Sequence, residues 1–383
     1  MRAGPPRWLR RVRARRAGTR VGSAPVGQGL DRGVALRGRI WSPDEGSLCA
    51  DGVLVVGPDG AIAALGASGE VTLPEGVRRL GGPGRWVGPG LVDAHVHLAF
   101  GGPGAALAGG LVAVRDLGAP PAAAVAWQAE VGPPCCAVAG PMLTSPGGYP
   151  TRSWGVDGFG AEVADAAAAA RLVRALAADG VDVIKVALEP AAGPVPSPEV
   201  LRAAVDAAHA LGLGVTAHAL TVAMVERALD AGVDELAHTP VEVLPDALVG
   251  RLADRGTPVV STLQALCRGG SARAVLRNAA ALHAGGVPLV YGTDLGNAGT
   301  RPGVDPRELD RLAQVGLGRE GALRLAATAA RTALGMGSAP AGRLAVGQPA
   351  HVVLLDTDPL VEPAAWRAPL AVVSAGRVLA PLG

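Results

Sequence analysis

The sequence predicts an α/β fold, a (β/α)8 TIM-like barrel carrying a small β-sandwich module built from both chain ends. Three observations predict it. Between about residues 90 and 334, short β-like runs alternate with amphipathic helical stretches, the pattern of a parallel sheet. Eight such units over about 250 residues suit a closed barrel. The flanks carry short strands joined by Gly, Pro and Asp turns, too few on either side to bury a face alone. The 383 residues divide into a basic arm over 1–32 expected to be disordered, a barrel over 89–338, and a composite β module from 33–88 plus 339–383.

The eight barrel strands are expected at residues 90–98, 111–117, 135–139, 181–188, 214–219, 235–239, 258–262 and 288–294. Helix starts between them are marked by Ser197 with Pro198 at the first helical position, by Thr221 ahead of an apolar-periodic run, and by Asp305-Pro306-Arg307-Glu308, a capping box. In the flanks, ALRGRIW, GVLVVGPDGAIAALG and VRRLGG before the barrel, and GRLAVG, HVVLLD and AVVSAGRVL after it, supply the module strands.

Composition excludes several classes. No uninterrupted apolar run reaches the roughly 18 residues of a membrane span. The first twenty residues hold eight arginines and no acid, so the formal charge of +2 conceals a body six units negative. No apolar stretch follows those arginines as a secretory signal requires. The arm lacks the interleaved aromatics of a nucleic-acid reader, so no nucleic-acid or membrane partner is expected. Four cysteines, Cys49, Cys135, Cys136 and Cys267, form no C-x-x-C pair, which fits a reducing cytoplasm. Lys185 is the single lysine beside 34 arginines, which asks why arginine does not serve there.

His95 and His97 stand two apart on the first strand, so both imidazoles project from one face, half of a metal site at the carboxyl end of a barrel strand. Lys185, His218, His238 and Asp294 fall near the ends of strands four, five, six and eight. The other histidines, His209, His283 and His351, fall in helices or the module. An ammonium among Val183, Ile184 and Val186 costs several kcal/mol unless paired or neutralised. Burial depresses a lysine's pKa, and a neutral amine can take up carbon dioxide as a carbamate, which a guanidinium cannot. The alternative is a lysine paired to a buried acid such as Asp182 or Asp294.

PGLVDAHVHL at residues 89–98, DVIKV around Lys185, TAHA around His218, ELAHTP around His238, YGTDLG around Asp294 and the closing GRLAVGQPAHVVLLDTDPL together resemble the metal-dependent amidohydrolase superfamily, in particular its imidazolonepropionase-like and prolidase-like branch. The resemblance implies two divalent ions, one held by His95, His97 and Asp294 and the other by His218 and His238, with carboxylated Lys185 as the bridge. Zinc suits such histidine-rich ligands; manganese or cobalt would also fit. The strand-four lysine argues against the mononuclear activity of true imidazolonepropionase. Leu220 stands where dipeptidase-like members often carry a tyrosine that holds a substrate carboxylate. His351 replaces a common aspartate of the return segment, away from the metals.

The ligand types then imply hydrolysis of a C–N bond in an amide, cyclic amide or dipeptide-like small molecule by a metal-bridging hydroxide. Asp294 would accept the proton and deliver it to the departing nitrogen. An ester, lactone or organophosphate is the alternative on the same centre, and a metal-free scaffold protein is the alternative from another class. For substrate contacts, the loop at residues 141–160 offers Tyr149, Arg152 and Trp154, either as a substrate-facing lid or as a packed structural loop. Gln264, Tyr291 and Arg301 are further candidates. The oligomeric state is open, with a homo-oligomer allowed.

Overall fold

Fully buried strands alternate with one-sided helices to close a barrel around the polar residues singled out above. The computed structural model describes residues 28–131, 136–333, 344–374 and 376–379. The arginines of the arm up to residue 20, and Cys135, lie outside these residues.

All eight expected barrel strands are present, parallel and in order: β1 (Leu91–Val96), β2 (Leu111–Asp116), β3 (Cys136–Val138), β4 (Val183–Leu188), β5 (Gly214–Ala219), β6 (Glu235–Leu236), β7 (Val259–Val260) and β8 (Leu289–Val290). Every residue of these strands is buried, as expected for a parallel sheet covered on its outer face by helices and filled on its inner face by side chains. The barrel is distorted at the β3–β4 junction. A short strand not expected from the sequence, Met142–Thr144, pairs with β4 at Val186 and with Gly160–Glu162 on its other side. Closure between the last and first strands runs through Ala94 N–H to Tyr291 O (3.0 Å) and Asp294 N–H to His95 O (2.8 Å).

Local chemistry fixes the helices. Asp165, Ser197 and Thr221 each accept a backbone N–H at a helix start, and Gly180, Gly232 and Gly256 end helices in the left-handed region. The expected capping box at Asp305 is half correct. Asp305 accepts from Arg307 N–H, but Glu308 does not reach back to Asp305; its carboxylate accepts Leu263 N–H (2.9 Å) and Gln264 N–H from the segment after β7. Those amides are buried at a helix start and need a partner, which outcompetes the local cap.

The β module is one eight-stranded mixed sheet drawn from both ends of the chain. Its order is Gln28–Gly29, Arg377–Val378, Ala371–Ser374, His351–Leu355, Arg78–Pro89, Val34–Ser42, Gly46–Val56, Ile62–Ala67. The expected sandwich is thus built by a single sheet that curls over its own core: Leu36, Leu54 and Ile62 from one half share a cluster with Val352, Ala371 and Val373 from the other. The pairing of Gln28–Gly29 with Arg377–Val378 also moves the start of the module into the segment assigned to the arm.

Three tryptophans join module and barrel. Trp41 stacks on Trp86 at 6.0 Å and Trp86 meets Trp366 edge-on at 5.7 Å, all within the main core. Trp86→Ala is expected to cost about 3–5 kcal/mol, read as a lower midpoint of thermal unfolding.

Candidate active site

The carboxyl ends of the strands bring all six expected polar residues into one buried cluster. His95 and His97 leave the end of β1, Lys185 points inward from β4, His218 from β5, and His238 and Asp294 follow β6 and β8. His95 Nε2 and His97 Nε2 each lie 3.3 Å from Asp294 Oδ1, and His238 Nδ1 lies 3.8 Å from Asp294 Oδ2. Donor atoms of His95, His238 and Asp294 fall within 4.8 Å of one another. His218 Nδ1 and His238 Nε2 face each other at 3.0 Å, close to the roughly 3.3 Å separating two imidazole nitrogens on one tetrahedral zinc with 2.0–2.1 Å bonds.

Several of these atoms are poorly satisfied by the protein. His97 Nδ1 and Lys185 Nζ are buried without a hydrogen bond, and His95 Nε2 and Asp294 Oδ1 meet only each other and His97, at 3.3 Å and without hydrogen-bond geometry, an arrangement that costs free energy unless a ligand fills it. Burial pushes the Lys185 ammonium down to about 7, against the opposing pull of Asp294. Burial alone would raise Asp294, but the imidazoles of His95, His97 and His238 outweigh it and hold the carboxyl well below the usual carboxylate range. The same burial, with the Lys185 and His97 charges adding to it, drives His95 down. Burial lowers His218 and His238 as well, so the site favours neutral imidazoles at His95, His218 and His238 and an ionised Asp294, the forms that donate lone pairs to a cation.

Residues outside the expected set orient the histidines. His95 Nδ1 is 2.8 Å from Ala237 O, which assigns the proton to Nδ1 and frees Nε2. His218 Nε2 is 3.0 Å from Glu189 Oε2, and His238 Nδ1 is 3.1 Å from Thr262 Oγ1. Thr262 and Asp294 both sit in the left-handed region, at φ 43° and 54°, where a β-branched threonine is strained and persists only because its surroundings hold it. Asp93, wholly buried, takes Thr293 Oγ1–H at 2.6 Å and the amides of Thr293 and His95, bolting β1 to the segment that presents Asp294. Its signal was in the sequence: Asp93, His95 and His97 share one strand face. Glu189, one step past β4, carried no local signal, because its histidine partner lies 29 residues away.

The expected substrate contacts divide. Tyr149 and Trp154 reach the site: Tyr149 lies 5.2 Å from the His218 ring, Trp154 lies 5.1 Å from His97, and Trp154 Nε1–H donates to Tyr149 Oη at 2.8 Å. Arg152, between them, is exposed and lies against Gly147. Tyr291 is corrected to a wall residue: it is wholly buried on the helix side of the strand, and its hydroxyl accepts Asp305 N–H at 3.0 Å. Gln264 accepts from Arg311 Nε–H, and Arg301 donates to Arg367 O, so neither side chain turns toward the histidines.

The sequence profile of the amidohydrolase family matches residues 86–379. A solved structure of a candidate prolidase from Bifidobacterium longum superposes with TM-score 0.76 at 26% identity, covering 92% of this chain and 96% of that one. Ochratoxinase of A. niger superposes with TM-score 0.72 at 20% identity over 92% of this chain and 97% of that one, a likeness of fold. An uncharacterized protein of Mycobacterium tuberculosis is 30% identical over 289 residues, 66% of this chain and 75% of that protein. Barrel, composite module and convergent histidines define a hydrolase of the metal-dependent amidohydrolase superfamily. The chain belongs to the amidohydrolase family, enzymes that hydrolyse carbon–nitrogen bonds. Among the described residues no helix is long and apolar enough to cross a membrane.

Proposed function

We propose that this protein hydrolyses a C–N bond of an amide, cyclic amide or dipeptide-like small molecule at a pair of divalent cations, zinc foremost. His95, His97 and Asp294 would hold one cation, His218 and His238 the other, with carboxylated Lys185 between them. The observation that carries this reading is the set of buried donor atoms that form no hydrogen bond, His95 Nε2, Lys185 Nζ and Asp294 Oδ1, gathered in one cluster. A metal-free scaffold has no reason to maintain them. Two divalent ions there would acidify a water and polarise the scissile carbonyl.

The chain's own groups do the rest. Asp294, held ionised by its imidazole neighbours, accepts a proton and releases it to the departing nitrogen. Lys185, deprotonated near neutrality, can combine with carbon dioxide, losing one proton to form an anionic carbamate. Ala237, Glu189 and Thr262 fix the imidazoles so that His95 Nε2, His218 Nδ1 and His238 Nε2 face the cluster. Glu189→Ala is expected to weaken binding at the His218–His238 position about 10–100-fold while the other position still fills, read by metal titration. Glu189→Gln, whose amide oxygen can still accept from Nε2–H, should retain most of that affinity.

The free cysteines Cys49 and Cys267 support a reducing, cytoplasmic setting. The test is a turnover screen of metal-loaded protein over N-acyl amino acids, dipeptides, hydantoins and lactones. Turnover confined to the amide-bearing compounds is the expected result; turnover of lactones alone would overturn the assignment to C–N bonds.

A further inference from the structure

The chain holds only two phenylalanines, two tyrosines and six tryptophans, yet four of these ten gather at the mouth of the histidine cluster. Trp154 packs edge-on to His97, and Tyr149 lies tilted over His218, so the pair joined by the Trp154–Tyr149 hydrogen bond spans both halves of the site. Phe100 and Phe159 stack on each other at 6.0 Å, and each meets Trp154 edge-on, at 5.7 and 5.5 Å. Phe100 arrives from the loop after β1 and remains 52% exposed. Glycine at 296 makes room for it: a Cβ there would lie 2.8 Å from Phe100 Cδ2 and 3.1 Å from His97 Cβ.

This roof combines apolar ring faces with one directed polar group. Trp154 N–H occupies a lone pair of the Tyr149 oxygen, which leaves the phenolic O–H free to donate to a carbonyl. The cationic alternative points elsewhere. Arg152 lies against Gly147, where an added Cβ would sit 2.5 Å from its Nη2, and it interacts with Glu162. Glu189 stands beside His218 and interacts with Tyr149, which disfavours a substrate carboxylate on that side.

We propose that the substrate carries a flat apolar group, as in an aryl or arylalkyl amide, which seats against Trp154, Tyr149 and Phe100 while its carbonyl accepts from Tyr149. This rests on the C–N hydrolase reading and narrows its substrate class. Ring-on-ring contact at a preformed apolar face discriminates by shape and area, so a methyl group in place of the ring forfeits most of it.

The experiment uses metal-loaded full-length protein in two arms. In the first, kcat/KM is compared within the pairs phenylacetamide and acetamide, and N-benzylacetamide and N-methylacetamide. The aryl member of at least one pair is expected to be favoured by about tenfold or more, and Phe100→Ala or Trp154→Leu should shrink that ratio about fivefold with metal content preserved. In the second arm, benzylphosphonate and methylphosphonate are titrated by calorimetry, a readout independent of turnover. Tighter binding of the benzyl compound without hydrolysis of any amide would support the roof and overturn the C–N reading. Equal binding of the two phosphonates, or a preference for carboxylate-bearing amides that Arg152→Ala removes, would overturn the proposal. A change of oligomeric state in Phe100→Ala with the aryl ratio intact would overturn it as well.

Discussion

Lys185→Arg is expected to lower kcat/KM on the order of 10³-fold or more, although the formal charge is unchanged. The side chain is 1% exposed and its Nζ has no hydrogen-bond partner, and burial outweighs the pull of Asp294 on its charge, so a positive charge is not what the position favours. An arginine stays protonated, cannot form the carbamate, and brings a larger cation into a site built to collect cations. Added short carboxylates should fail to rescue it. Lys185→Ala, which leaves space for such a carboxylate, should recover in part with acetate or propionate. Steady-state kinetics on both variants provide the check, and wild-type turnover in the arginine variant would remove the carbamate from the mechanism. Because burial brings the amine down to about 7, it is mostly ammonium below that pH and mostly free amine above it. Reconstitution of metal-stripped enzyme with zinc and bicarbonate should therefore proceed faster at pH 8 than at pH 6.

Asp294→Asn should lower kcat about 10²–10⁴-fold with a smaller change in KM, since the amide keeps the shape and loses both the negative charge and the capacity to carry a proton. The left-handed backbone at this position, φ 54°, tolerates asparagine better than most residues, and Thr293 remains anchored by Asp93. The loss is therefore chemical and not a failure to fold, which a near-native unfolding midpoint beside collapsed kcat would establish. A variant retaining more than a tenth of wild-type kcat would exclude Asp294 as the proton carrier.

How much of this was legible in the sequence depended on whether the cause is local. The eight barrel strands could be placed because each is a short buried run between cap and turn signals, and the six polar residues of the cluster could be named because they stand near strand ends. Their convergence is a property of closure, which the β-strand hydrogen bonds at Ala94, His95 and Asp294 bring about. Met142–Thr144 escaped notice because three residues after a Gly-Pro break show no periodicity. Glu308 was misassigned because its partners, the amides of Leu263 and Gln264, lie more than forty residues upstream. Phe100 and Phe159 stand far apart in the sequence, and only the fold lays both of them on Trp154. Tyr291 looked accessible beside the Gly-Thr-Asp turn, whereas strand alternation turns it to the outside of the barrel against Asp305.

The proposed hydrolysis depends on a cluster that grips cations, and the direct measurement is metal content. Purified protein incubated with zinc and bicarbonate, then freed of unbound metal, should retain about two zinc ions per chain by elemental analysis, with His97→Ala and His218→Ala each retaining about one. Fewer than about half an ion per chain in the wild-type protein would contradict it.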